Sequence, residues 1–182
     1  MLGEGSLKVR FAALPALLAL VLWPAAADAG WTLYSRGTDT AARLLAMHNS
    51  ERARMHIAPL QWDPQLAAAA ASYGPALASL GYLRHSPRTN RPGQRENLWM
   101  GTRGAYSPEQ MVASWIAEKR EFRPGVFPNV SSTGNWEDVA HYTQVISKDS
   151  TRVGCAIQPA GQWDFLICRY SPPGNVDGRW MP

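Results

Sequence analysis

RVGCAIQPAGQWDFLICRY, residues 152–170, is the stretch from which the fold can be read. Arg152–Gln158 and Trp163–Tyr170 are rich in β-branched and aromatic residues, and Gly161-Gln162 lies between them, so two strands joined by a tight turn are expected. Glycine in the first central position suits a type II′ turn. Pairing Ala160 with Trp163 across that turn puts Cys155 opposite Cys168. Counting outward from Ala160 and Trp163 as a hydrogen-bonded pair, the two cysteines fall on a non-hydrogen-bonded pair, where Cα atoms approach to about 4.5 Å. That separation lies inside the disulfide range of about 4.4–6.8 Å, so a Cys155–Cys168 bond is predicted. Two buried free thiols are the alternative.

Upstream, His141–Ile146 reads as a third strand, with Thr143 and Val145 on the face of His141. Helical spacing appears earlier. Asp39 can cap a first helix carrying Leu44, Leu45, His48 and Arg52, which Pro59 would stop; His48 is expected buried and His56 exposed. Asp63-Pro64 starts a second helix, with Leu66, Ala70, Tyr73, Leu77 and Leu80 on one stripe, a kink or break at Gly74-Pro75 and an end at Gly81. Ser107, Pro108 and Gln110 form a capping box for a third, whose stripe is Met111, Val112, Trp115 and Ile116. Arg84–Gly104 reads as loop with a short strand at Asn97–Met100, and Arg123–Asn135 as a long loop of the kind that is often functional.

The N-terminal end has a different character. Lys8 and Arg10 precede an apolar run from Phe11 to Trp23, and Ala27-Asp28-Ala29 offers the small-x-small pattern of a signal peptide cleaved after Ala29. The run is short for a membrane span, which takes about 20 apolar residues, and no later segment approaches that length. Residues 1–29 are therefore expected to be an export signal, 30–38 an extended lead-in and 39–182 a single domain, secreted or periplasmic, in a compartment where thiols oxidise.

With 182 residues, 46% hydrophobic and 18% charged, the chain has material for one sizeable core. Its net charge of +4 is too small to indicate nucleic-acid binding, and two cysteines exclude a Cys-rich scaffold or a four-cysteine zinc site. HExxH, GxSxG, phosphate-loop and CxxC patterns are all missing.

Four histidines and a few oddly placed acids remain. Glu118 continues the apolar stripe of the third helix, so it should be partly buried opposite a donor or cation. Singly, His85 reads as a solvated loop histidine, Glu96 as a surface acid paired with the arginines beside it, and His141 as a core histidine.

Together the segments carry a resemblance. HNSERA from His48, PLQWDPQLA from Pro59, HS at His85, ENLWMG from Glu96, SWIAEK from Ser114, HYTQVI from His141, VGCA from Val153 and FLICRYSPPGN from Phe165 follow the order seen in the CAP superfamily. That family groups cysteine-rich secretory proteins, antigen 5 and pathogenesis-related protein 1. The chain departs from it at Ala140, where the family usually has glycine, at Ser147, where it has tryptophan, and in lacking the other cysteines.

The resemblance implies an α+β, three-layer α-β-α sandwich with a central antiparallel sheet. It also implies a cleft holding His85, Glu96, Glu118 and His141. Two imidazoles could hold zinc or another divalent metal weakly, with Glu96 and Glu118 in support; a bracing polar network is the alternative.

Three functions follow as expectations. The first is a secreted binding or defence protein for a lipid, sterol or other apolar ligand, favoured by the missing nucleophile and by Trp99, Trp115, Phe122, Phe127, Trp136 and Trp163. The second is a metal- or Glu-assisted hydrolase using Glu118, Glu96, His85 and His141. The third is an anionic-surface binder working through Arg84, Arg88, Arg91, Arg95 and Arg103.

Overall fold

The computed structural model describes residues 28–182, with side chains from Asp39 onward, so most of the expected signal segment lies outside the described residues. The helices are α1 (Asp28–Arg54), α2 (Pro64–Leu80), α3 (Pro108–Ile116) and α4 (Ala140–Val145). The strands are β1 (Gln61–Trp62), β2 (Arg95–Thr102), β3 (Gly125–Val126), β4 (Arg152–Ala160), β5 (Trp163–Ser171) and β6 (Trp180–Met181).

The hairpin at the centre forms in the expected register. Ala160 pairs with Trp163 and Cys155 with Cys168, with their Cα atoms 4.1 Å apart and the disulfide formed. Gly161 takes φ 55°, the left-handed value that turns the chain. β2 adds antiparallel to β5 and β1 parallel to β4, giving the order β1-β4-β5-β2. The sheet is thus antiparallel through its three long strands, with a two-residue parallel edge that the sequence did not announce.

Both faces of β5 are covered, and its residues divide by parity. Leu166, Cys168 and Tyr170 join Cys155, Leu44, Met111, Val112 and Trp115 under α1 and α3. Phe165 and Ile167 join Ala70, Leu77 and Leu98 under α2. The result is an α-β-α sandwich, with the disulfide on the α1/α3 side. α2 lies so close to β4 that a Cβ on Gly154 would run into the backbone of Asp63, Leu66 and Ala67.

The caps of α2 and α3 follow the sequence. Asp63 accepts from the amides of Gln65 and Leu66, and Ser107 and Gln110 complete a capping box. α2 runs unbroken through Gly74-Pro75, because its buried face is held against the hairpin throughout its length.

Four further expectations are corrected. His141–Ile146 is not a strand: Ala140–Val145 is helical and follows a tight turn at Trp136–Val139. Its β-branched residues favour extension, but tertiary partners at both ends of the segment outweigh that preference. Residues 30–38 are not extended; they belong to α1, which has no proline to interrupt it. α1 ends at Arg54, before Pro59, where His56 adopts φ 54° and the Ile57 amide donates back to Arg52 O. β2 is longer than expected and carries Glu96 within a strand, and β3 and β6 pair outside the main sheet.

His48 is fully buried, as its stripe position implied, and His56 is exposed. The His48 Nδ1 lies 2.8 Å from Leu44 O, a pure acceptor, so Nδ1 carries the proton and Nε2 accepts from the Tyr170 hydroxyl at 2.8 Å. Burial lowers the His48 pKa from 6.5 to about 4, with the Leu44 carbonyl acting against the shift and the Arg52 charge adding to it. Below pH 6.5 the unfolded chain takes up a proton that the folded chain refuses until about pH 4. Stability should therefore fall across that window, by about 3 kcal/mol from this group alone. Melting temperatures of the parent and His48→Gln measured across the window check this; parallel pH slopes would exclude it.

Candidate functional site

His85 lies beyond the end of α2, in the extended segment before a short turn at Arg88–Asn90. Glu96, on β2, is buried beneath it. Its Oε1 accepts from His85 Nδ1 at 2.9 Å and from the Ser86 amide at 3.0 Å. Its Oε2 accepts from the Ser86 hydroxyl at 2.9 Å and lies 2.8 Å from Arg169 Nε. Burial pushes the Glu96 carboxyl up, but the bonds from His85 and Ser86 and the Arg169 charge outweigh it, and its pKa falls below the ordinary range. Glu96 is therefore not the surface acid paired with flanking arginines that its sequence context suggested. Its cation is Arg169, far off in sequence but its direct cross-strand partner on β5.

The second dyad is built from the tight turn Ala117–Arg120 that follows α3. Glu118 Oε1 accepts from His141 Nδ1 at 2.6 Å, while Oε2 accepts from the amides of His141 and Tyr142, both at 3.0 Å. Those amides are the free donors at the start of α4, so one carboxylate both orients the ring and caps the helix. The imidazole of His141 stacks on Trp115, with ring centroids 5.9 Å apart and planes 10° apart. The position of Glu118 on the apolar stripe is what brings it there.

His85, Glu96 and His141 line one cavity of about 810 Å³, and Glu118 stands behind His141 rather than on the wall. Phe127, Pro128 and Trp136 form an apolar side of the same cavity, with Phe127 and Trp136 packed edge to face at 5.3 Å. The long loop Arg123–Asn135 thus supplies Phe127 and Pro128, and the turn that follows it supplies Trp136. Trp115 is core, and Trp163 packs in the α2 layer.

Each imidazole is anchored through Nδ1 by an acceptor-only carboxylate, so Nδ1 holds the proton; among the described residues Nε2 makes no hydrogen bond. Such anchoring fixes the tautomer and leaves the Nε2 lone pair unengaged, which suits it to ligate a cation or accept a proton. No group of three or more His, Cys, Asp or Glu able to hold a metal occurs among the described residues. Both oxygens of Glu96 and of Glu118 are already engaged. A divalent ion would therefore have two protein nitrogens and complete its shell with water or ligand atoms.

The five arginines do not form one patch. Arg91 donates to Ser86 O and Gln94 O, and Arg95 to Gly174 O and Asn175 O, so both clamp backbone. Arg103 lies at the opposite end of β2, against Gly161 O at 3.4 Å. Arg84 and Arg88 are exposed.

Sequence reasoning overlooked Arg169, Ser86, Gln144 and Asn175. Gln144 and Asn175 line the cavity, and their buried side-chain oxygens have no partner among the described residues. Asn175 holds φ 49° and donates to Ala140 O at 2.8 Å, while a Cβ on Gly174 would strike Ser147 and Gln144. The signal was available: Arg169, Gly174 and Asn175 all lie within FLICRYSPPGN.

Comparison with known proteins agrees with this architecture. Residues 45–170 match the model of the cysteine-rich secretory protein family, CAP. A pathogenesis-related protein of PR-1 type from Sambucus nigra is 32% identical over 80% of this chain and 84% of its own length. Pathogenesis-related protein 1C from Nicotiana tabacum is 36% identical over 74% of this chain and 76% of its own. The crystal structure of NaASP2 with Zn2+ superposes with a TM-score of 0.64 at 21% identity, covering 77% of this chain and 83% of that one, which shows the shared fold. With a family match spanning the paired strands and both dyads, this chain belongs to the CAP family of cysteine-rich secretory proteins.

Proposed function

We propose that this chain is an exported binding protein of the pathogenesis-related 1 type, acting in defence or cell interaction, whose cleft takes a small amphipathic ligand together with a weakly held divalent ion. The observation that carries this reading is the pair of carboxylate-anchored imidazoles on one cavity, facing the Phe127, Pro128 and Trp136 wall. His85 and His141 would hold zinc or a similar ion, and Glu96 and Glu118 would orient them. The aromatic side suits a lipid, sterol or other apolar body. NaASP2, which shares the fold, has been crystallised with Zn2+. The signal-like segment 1–29 and the disulfide fit an oxidising compartment outside the cytoplasm.

A hydrolase would draw on the same dyads through a bound water. Neither ring is hydrogen-bonded to a Ser or Thr hydroxyl among the described residues, so neither is paired with a side-chain nucleophile of that kind.

Isothermal titration with zinc should show binding to the parent that is lost in His85→Ala with His141→Ala; equal heats from both would defeat the proposal. Glu118→Gln should weaken zinc binding by about 10–100-fold, as expected when the carboxylate orienting a metal ligand is lost. It should also lower stability by about 1–3 kcal/mol, because the amides opening α4 lose a charged acceptor. A variant that loses stability but binds zinc like the parent would make Glu118 a helix cap alone.

A further inference from the structure

The outer face of α2 takes no part in the cleft, and its composition is unusual for a surface helix. From Pro64 to Leu83 there is no charged residue, and from Pro64 to Arg95 no acid. α2 turns Leu66, Ala70, Gly74 and Leu77 inward, leaving Ala68, Ala71, Ser72, Pro75, Ala76 and Ser79 exposed. A helix face bathed in water ordinarily carries charged or strongly polar side chains. This one is mostly alanine, proline and serine.

The face ends in an apolar tip. Leu80, Tyr82 and Leu83, within four residues of one another, are 36%, 52% and 43% exposed. The tip is held to the helix: Gly81, at φ 73°, turns the chain while its amide donates to Leu77 O, and the Tyr73 hydroxyl donates to Arg84 O at 2.7 Å.

Cations follow directly. Arg84 and Arg88 are exposed and form no ion pair among the described residues. Arg88 lies near enough to Arg91 and Arg95 for its charge to disfavour their protonation, which places the three in one positive field. Of the acids near them, Glu96 is matched by Arg169, Asp177 acts on Arg95, and Glu137 lines the cleft together with Arg88.

We propose that this face docks on an anionic phospholipid bilayer, with Tyr82 and Leu83 entering the headgroup boundary and Arg84 and Arg88 meeting the phosphates. An uncharged helix face lies beside the tip, so close approach to the lipid desolvates few charges. A soluble polyanion would use the arginines and gain nothing from the tip; the exposed tyrosine and leucines therefore favour a bilayer as the occupant.

Co-sedimentation with vesicles tests the proposal, using the same purified form of every variant. The parent should partition onto phosphatidylcholine vesicles containing phosphatidylglycerol, should do so less at high salt, and should hardly bind phosphatidylcholine alone. Arg84→Glu with Arg88→Glu should reduce partitioning by roughly 30-fold or more, since each basic residue near such a surface contributes about fivefold. Tyr82→Ser with Leu83→Ser should reduce it by about tenfold or more while leaving binding to heparin, a soluble polyanion, unchanged. Both pairs are exposed, so melting temperatures should stay near that of the parent. His85→Ala with His141→Ala should partition like the parent, which keeps this inference separate from the cleft reading. The proposal is overturned by binding that ignores phosphatidylglycerol, by tip or arginine variants that bind like the parent, or by loss of partitioning in the histidine variant.

Discussion

A cation buried among backbone carbonyls holds this molecule together. Arg52 is almost wholly buried, and its guanidinium donates to Ala58 O, Val145 O, Ser147 O and Ser150 O at 2.8–3.1 Å. Among the described residues no carboxylate joins it. Burial lowers its pKa to about 10, which still leaves it charged at neutral pH. A charge removed from water must find compensation, and here the geometry of a five-donor fork forces three segments to converge on one point. The exit of α1, the end of α4 and the approach to β4 are set together.

The same constraint places the candidate site. α4 has only six residues, too few to be stable alone, yet it carries His141 at its second position. Arg52 takes carbonyls at its C-terminal end, and Glu118 takes amides at its N-terminal end. Two charges of opposite sign therefore hold the helix in the sense that its dipole favours. On the other side of the cavity, Arg169 on β5 fixes Glu96 on β2, and Glu96 fixes the His85 ring. Each imidazole is thus tied through its carboxylate to the sheet or to the turn that follows α3.

This explains what the sequence disclosed and what it did not. The hairpin register and its disulfide were legible because a two-residue turn fixes pairing by counting alone. The Asp63 and Ser107 caps were legible because their partners lie two or three residues away. α4 was not, since HYTQV reads as a strand unless its caps are known, and those are Glu118 and Arg52, far off in sequence. His85, Glu96, Glu118 and His141 were singled out together through the order of the family's segments and not through their individual settings. Read singly, Glu96 and His141 were misplaced, because the environment of each is set by a residue on another element. Ser86 and Arg169 escaped notice for the same reason.

Charge shows how far partners alter the meaning of composition. Arg84, Arg88, Arg91, Arg95 and Arg103 look in sequence like one basic stretch, yet the fold gives them three kinds of work. Arg91 and Arg95 clamp carbonyls, the latter locking the Gly174-Asn175 segment against α4, where Asn175 reaches Ala140 O. Arg103 sits by the hairpin turn just past the other end of β2, roughly 26 Å from Arg95 along a strand that rises about 3.3 Å per residue. Only Arg84 and Arg88 keep their donors for solvent or a partner. A carbonyl-bound guanidinium retains its charge, so Arg91 and Arg95 still strengthen the field around Arg88 without being able to reach out. The clamps that hold the wall of the cleft and the charges left at the surface are therefore electrostatically linked: neutralising Arg95 would loosen the Asn175 segment and weaken the outward field in a single step.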